Sequence, residues 1–255
     1  MIALRDVEIA FGERVVARVP SLDLNAGEIV GVAGESGSGK SMTALAILGL
    51  ARSVGATVRG SITLEGEELV GAPEKHLREL RGRRIAMIMQ SPRGSLNPTM
   101  RLGRYFKRTL ALHGVEDADA RMKDALADVS LDEGVLGRYP HQVSGGQAQR
   151  FAIALAVALR ASVLLADEPT SALDVTVQAQ VVELLKRLRD EHGTAMLFIS
   201  HDLAVVGQLA DRVVVMRDGA VVEQGSAHQV LSTPEDAYTR ALLDAVPVIG
   251  KERVA

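Results

Sequence analysis

Residues 34–41 read Gly-Glu-Ser-Gly-Ser-Gly-Lys-Ser, the spacing G-x-x-x-x-G-K-[ST] of a phosphate-binding loop. Gly34, Gly37 and Gly39 let the backbone bend where a Cβ would forbid it. Successive N–H groups, through Glu35, Ser36 and Ser38 to Met42, then point inward at phosphate oxygens. Lys40 is expected to reach the β- and γ-phosphates, and the Ser41 hydroxyl to ligate Mg²⁺. Two carboxylates, Asp167 and Glu168, end the apolar run 163–166. At a strand terminus the first would hold Mg²⁺ and the second would polarise an attacking water as general base. His201 follows the apolar run 195–199, and the carboxyl end of a strand in an open α/β sheet is where ligands sit. Ser144-Gly145-Gly146-Gln147 opens a long apolar helix. Ser144 is a competent N-cap, and a glycine-rich helix N-terminus is a second anion site.

These groups need strands and helices to hold them. Residues 29–33 are a short apolar run suited to a buried strand, and 42–50 suit a helix whose N-terminus faces the phosphates. Residues 2–9 alternate apolar and polar, 14–24 are β-like, and 58–69 form a hairpin turning at Glu65-Gly66-Glu67. Phe11 lies on an otherwise polar turn, where core packing and adenine stacking are both open to it. Residues 74–83 are helix-prone, 85–89 are a buried strand, and Gln90 stands at its end. Pro92, Gly94, Pro98 and Gly103 then stop the strand in a loop. From about 104 to 138 the pattern is helical, so 91–158 reads as a mostly helical insertion into an α/β layout. Residues 175–189 are an amphipathic helix. Arg217-Asp218-Gly219 turns a late hairpin, and 226–243 are helical with a break at Pro234. The last dozen residues show no period. Histidines 76, 113, 141, 192 and 228 read as surface residues.

Composition narrows the class. With 255 residues and 47% hydrophobic content, a sizeable core can form. A net charge of -3 gives no global reason to expect a nucleic-acid partner. The absence of cysteine excludes disulfides and thiolate metal sites, and fits a reducing compartment. No apolar run is long enough to span a bilayer, so membrane association is expected through a partner.

Taken in order, these motifs resemble the nucleotide-binding subunit of ATP-binding-cassette transporters over nearly the whole chain. The match pairs Phe11 with adenine stacking, Gly34 to Ser41 with Walker A and Gln90 with the Q-loop. Val143 to Gln147 matches the signature, Val163 to Asp167 Walker B, and Glu168 the catalytic glutamate. Ser171-Ala172-Leu173-Asp174 matches the D-loop, and His201 the switch histidine. Position 143 is Val where the signature usually has Leu, and 161 is Ala where Pro is common. Residues 95–98, 139–147, 166–180 and the late Pro234…Ala237-Tyr238-Thr239 resemble the peptide and nickel importer branch. Peptide-importing members often extend into a cysteine-bound iron–sulfur segment; an end at 255 without cysteine resembles the short nickel or metallophore type.

The resemblance implies a P-loop NTPase (RecA-like) core, 1–90 and 159–255, with an N-terminal antiparallel β subdomain and an inserted α-helical subdomain, 91–158. It implies ATP and Mg²⁺ as cofactors, with Gln90 joining Ser41 and Asp167 at the metal. Lys40, Gln90, Glu168 and His201 take part in hydrolysis. The implied partners are a second cassette, identical or paralogous, in a head-to-tail dimer, membrane permease subunits, and indirectly a substrate-binding protein. Its expected place is peripheral, on the cytoplasmic face of the inner membrane. Two rivals share the motifs. A cassette acting on DNA or ribosomes usually carries two cassettes or a long coiled coil, and neither is present. A non-transport assembly ATPase, like the accessory cassettes of carbon–phosphorus lyase, is separated poorly by sequence. The cargo is not legible, because permease and binding protein select it.

Overall fold

The computed structural model of the protein describes residues 1–245. Most of the last dozen residues, read above as lacking a period, lie outside that range. Chain order begins with strands β1 (Ile2–Phe11), β2 (Arg14–Leu24) and β3 (Ile29–Ala33), then helix α1 (Lys40–Ile47). Next come β4 (Thr57–Leu64), β5 (Glu67–Glu68), α2 (Glu74–Leu80) and β6 (Ile85–Ile88). Four helices follow without a strand: α3 (Pro92–Ser95), α4 (Leu102–Leu112), α5 (Ala118–Asp128) and α6 (Gly145–Leu159). The chain then runs β7 (Val163–Asp167), α7 (Val175–His192), β8 (Ala195–Ile199), α8 (Leu203–Leu209), β9 (Arg212–Arg217) and β10 (Ala220–Ser226). The described residues end with α9 (Ala227–Ser232) and α10 (Ala237–Asp244), with Pro234 between them as expected.

The ten strands of the described residues join one sheet in the order β5-β4-β1-β2-β10-β9-β3-β8-β7-β6. Strands β3, β8, β7 and β6 are mutually parallel, and β9 runs parallel to β3. Strands β1, β2, β4 and β5 are antiparallel. A single parallel pairing, Ala220 with Arg18, joins the two regions through β10. Strands β3, β7 and β8 are buried at every residue, which explains their unbroken apolar runs. Alternate side chains feed two cores. Leu164, Ala166, Met196, Phe198, Val213 and Val215 pack with the later helices. Val30, Val32, Leu165, Leu197, Ile199 and Val214 pack with α1, α2, β1, β2 and β4. Helix α1 therefore lies between the antiparallel strands and the parallel ones, touching β1 and β2 as well as β7 and β8.

Among the helices between β6 and β7, Phe106 of α4 and Phe151 of α6 meet edge to face at 5.5 Å. Both are fully buried, and the pairing uses the positive ring edge against a negative face. Helix α6 starts at a full capping box. The Ser144 hydroxyl accepts from the Gln147 N–H, and the Gln147 side-chain oxygen accepts from the Ser144 N–H. Helix α7 is capped by Asp174, whose carboxylate accepts from the Val177 N–H at 3.0 Å, and it stops at Gly193 in the left-handed region.

Candidate active site

The phosphate loop leaves the carboxyl end of β3 and delivers Lys40 and Ser41 to the first turn of α1. Two glycines are required by space as well as by torsion. Gly34 has φ 145°, and a Cβ there would collide with the Met216 carbonyl. Gly39 has φ 98°, and its Cβ would stand 2.6 Å from the Val16 carbonyl oxygen. Lys40 folds back onto the loop: Nζ donates to the Gly34 and Glu35 carbonyls at 2.7 Å each and to Ser38 Oγ at 3.2 Å. Burial pulls the ammonium below its ordinary value, while Glu168, Asp167 and Glu35 pull it back up.

The strand-end acids diverge. Asp167 accepts from the Ser41 hydroxyl at 3.0 Å and is buried. Burial foremost pushes its carboxyl above the usual range; neighbouring Glu168 adds to this, and the Ser41 hydrogen bond and Lys40 oppose it. Glu168 sits at φ 48°, an uncommon backbone for a residue with a side chain. One of its oxygens accepts from Gln90 Nε2 at 3.0 Å, and the other lies 3.3 Å from His201 Nδ1. Residues that end three different strands, Gln90, Glu168 and His201, thus meet at one carboxylate. The Ser41–Asp167 pair brings hydroxyl and carboxylate oxygens together at the loop. Hard oxygen donors of this kind suit Mg²⁺, which commonly takes one or two carboxylates and fills the rest of its shell with phosphate oxygens and water. Among the described residues no cluster of three or more His, Cys, Asp or Glu forms a self-sufficient cage.

Among the described residues no hydrogen bond joins Ser144, Gly145, Gly146, Gln147 or Asp174 to the phosphate loop. Their shared surroundings are local: a Cβ on Gly146 would lie 3.1 Å from the Ala172 carbonyl oxygen. Phe11, open between core and ligand from sequence, is 40% exposed at the end of β1, so the core option is set aside. His76 and His113 are half-buried and not simple surface residues. His76 pairs with Glu67, and the His113 ring covers Gly82. One contact escaped the sequence altogether. The Tyr238 hydroxyl oxygen accepts from the Glu35 N–H at 3.0 Å, so α10 touches the phosphate loop. The segment around Tyr238 was visible as a branch motif, but nothing in it spoke of the loop.

The chain matches the ABC transporter family over residues 18–171. It is 46% identical over 257 residues to the peptidoglycan transport ATP-binding protein YejF of Agrobacterium fabrum, covering 97% of this chain and 47% of that protein. It therefore spans about half the length of that relative. Against the probable D,D-dipeptide transport ATP-binding protein DdpD of Escherichia coli the identity is 47%, covering 91% of this chain and 73% of that one. Its fold superposes with a TM-score of 0.80 on the dimeric post-hydrolysis structure of the ATP-binding cassette MJ0796 bound to ADP and Pi. That likeness has 27% identity and covers 89% of this chain and 99% of the cassette. Matched along most of its length by such proteins and built on the same cassette fold, the chain belongs to the ABC transporter family.

Proposed function

We propose that the chain is the ATP-hydrolysing subunit of an importer for peptide-like substrates. The observation that carries the hydrolysis is the division of labour between adjacent acids: Asp167 turns to the phosphate loop through Ser41, and Glu168 is held by Gln90 and His201. A triphosphate in the loop would draw Lys40 Nζ from its carbonyl partners to the β- and γ-phosphates. Phe11, exposed at the β1 end, would stack on adenine. Ser41, Asp167 and Gln90 are the residues that would hold Mg²⁺, which supplies charge neutralisation for the transferring phosphoryl group. Glu168 would orient the attacking water and take its proton, with Gln90 and His201 fixing the carboxylate and His201 contacting the γ-phosphate. Catalysis is then positioning plus electrostatics.

The glycine helix makes sense across a dimer. One loop offsets part of the triphosphate charge, and the capped N-terminus of α6 in a second cassette would offer further N–H donors to the γ-phosphate. The dimeric cassette MJ0796 supports that reading. ATP would hold the pair together, and loss of the γ-phosphate would let it part. We take the helices of 91–158 as the unit that reports this to the membrane. A groove of about 320 Å³ between them and the core, lined by Met89, Leu96, Tyr105 and Leu155, is sized for apolar side chains of a permease helix. No helix among the described residues is long and apolar enough to cross a membrane, so attachment at the cytoplasmic face would run through that permease.

Relatives named for peptide and dipeptide transport favour a peptide-class cargo over nickel or a metal chelate. The same names favour transport over the assembly-ATPase rival. The deciding experiment is Glu168→Gln. With Mg-ATP it should double in mass by light scattering while phosphate release falls by about 10²- to 10⁴-fold. Turnover at the wild-type rate would remove Glu168 from the base role. A chain that stays monomeric at saturating ATP would end the sandwich reading.

A further inference from the structure

The segment Pro234 to Thr239 has no part in the ATP reading above, yet it is tied down with care. Glu223 on β10 accepts from the Glu235 and Asp236 N–H groups at 2.8 and 3.1 Å. Asp236 in turn caps α10 by accepting from the Tyr238 N–H at 2.8 Å. Arg240 donates back to the Pro234 and Glu235 carbonyls, both at 2.9 Å. The Arg217 guanidinium lies over the Tyr238 ring, 5.0 Å from its centroid. These ties bury the ring to 8% exposure and aim its hydroxyl at Glu35, 203 residues earlier in the chain.

What the hydroxyl meets is specific. The Gly34 carbonyl and the Glu35 N–H belong to one peptide plane. Lys40 Nζ holds the carbonyl end at 2.7 Å, and Tyr238 Oη holds the N–H end at 3.0 Å. A peptide gripped at both ends cannot flip without breaking two hydrogen bonds. Gly34 is the one residue of this pair whose torsions would allow a flip, having no Cβ.

We propose that Tyr238 is a positioning residue for nucleotide binding: its hydroxyl holds the Gly34–Glu35 peptide in the orientation that readies the phosphate loop and Lys40 for a triphosphate. The proposal rests on the reading of residues 34–41 as the ATP phosphate site. Tyr238 touches the loop backbone, so its effect is on preorganisation, felt equally in the bound substrate and the transition state.

Tyr238→Phe in the full chain removes the hydroxyl and keeps the ring, its burial and the Arg217 contact. Calorimetric titration with Mg-ATP and Mg-ADP should show Kd raised about two- to twelvefold for both, the effect of one net hydrogen bond. KM for ATP should rise by the same factor, with kcat within about twofold of wild type. Hydrogen exchange at the Glu35 amide, read by NMR without nucleotide, should accelerate, a change that loss of packing elsewhere would not produce. Wild-type Kd for Tyr238→Phe would overturn the proposal, whatever the exchange at Glu35. Tyr238→Leu, which also removes the ring, should weaken binding at least as much; should it fail to fold, Tyr238→Phe still decides. Lys40→Ala measured alongside separates the two levels. If Lys40→Ala keeps wild-type affinity, the phosphate-loop reading falls and this inference with it. If Lys40→Ala loses affinity and Tyr238→Phe does not, only the role of Tyr238 falls.

Discussion

Lys40 and Asp167 are the two buried charged side chains among the described residues, and both belong to the proposed phosphate site. Each is held there against the cost of burial, which acts on the charged form. Such cost is tolerated where a ligand of complementary charge is to arrive. It also has a pH signature. Asp167 has a folded pKa above its ordinary 3.8, so the folded chain binds that proton more tightly than the unfolded chain does. Its favourable contribution is present below the ordinary value and is lost as pH rises through the folded value. Asp167→Asn abolishes this loss. In nucleotide-free protein the variant should gain stability relative to wild type as pH rises above the ordinary carboxyl value. Thermal melts across that range check it, and a gap that is flat or closes with rising pH would contradict the assignment of burial as the dominant cause.

At the scale of elements, the proposed dimer contacts are also helix caps. Ser144 and Asp174 satisfy free N–H groups at the starts of α6 and α7. Their types are thus dictated by local folding before any nucleotide is considered. Asp174→Ala should cost about 1 kcal/mol of stability, read from the denaturant midpoint, and Asp174→Ser should restore most of it. In the Glu168→Gln background, an Asp174→Ser chain that is stable yet pairs weakly with ATP would separate the cap from the interface role. Full pairing with ATP by Asp174→Ala, once its stability loss is allowed for, would leave Asp174 as a cap alone.

For the whole molecule, a head-to-tail pair predicts complementation. In such a pair each composite site would take its loop from one copy and its glycine helix from the other. Lys40→Ala spoils the first half. Gly145→Asp spoils the second, with charge and not with crowding, since a Cβ at Gly145 meets nothing within 4 Å. Each variant alone should be inactive. Mixed in equal amounts they should recover roughly one quarter of wild-type hydrolysis, because half the dimers are hybrids with one intact site of two. No recovery after exchange of subunits would mean that loop and helix act within one chain.

Much of this was legible along the chain because the physics is local. A glycine-lysine-serine loop, a Ser-x-x-Gln cap and unbroken apolar runs each act over a few residues, so strands at 14–24, 29–33 and 195–199 and the cap at Ser144 were readable directly. Helix ends were read less well, as with α1, which begins at Lys40 and not past the loop, since terminal turns depend on what packs against them. By itself the sequence determined which groups could bind phosphate and which elements would carry them. Tertiary structure alone decided that Gln90 and His201 converge on Glu168, that Phe11 is exposed, and that Tyr238 reaches Glu35. Those outcomes follow from strand order and from packing between residues far apart in the chain, and no local pattern encodes them.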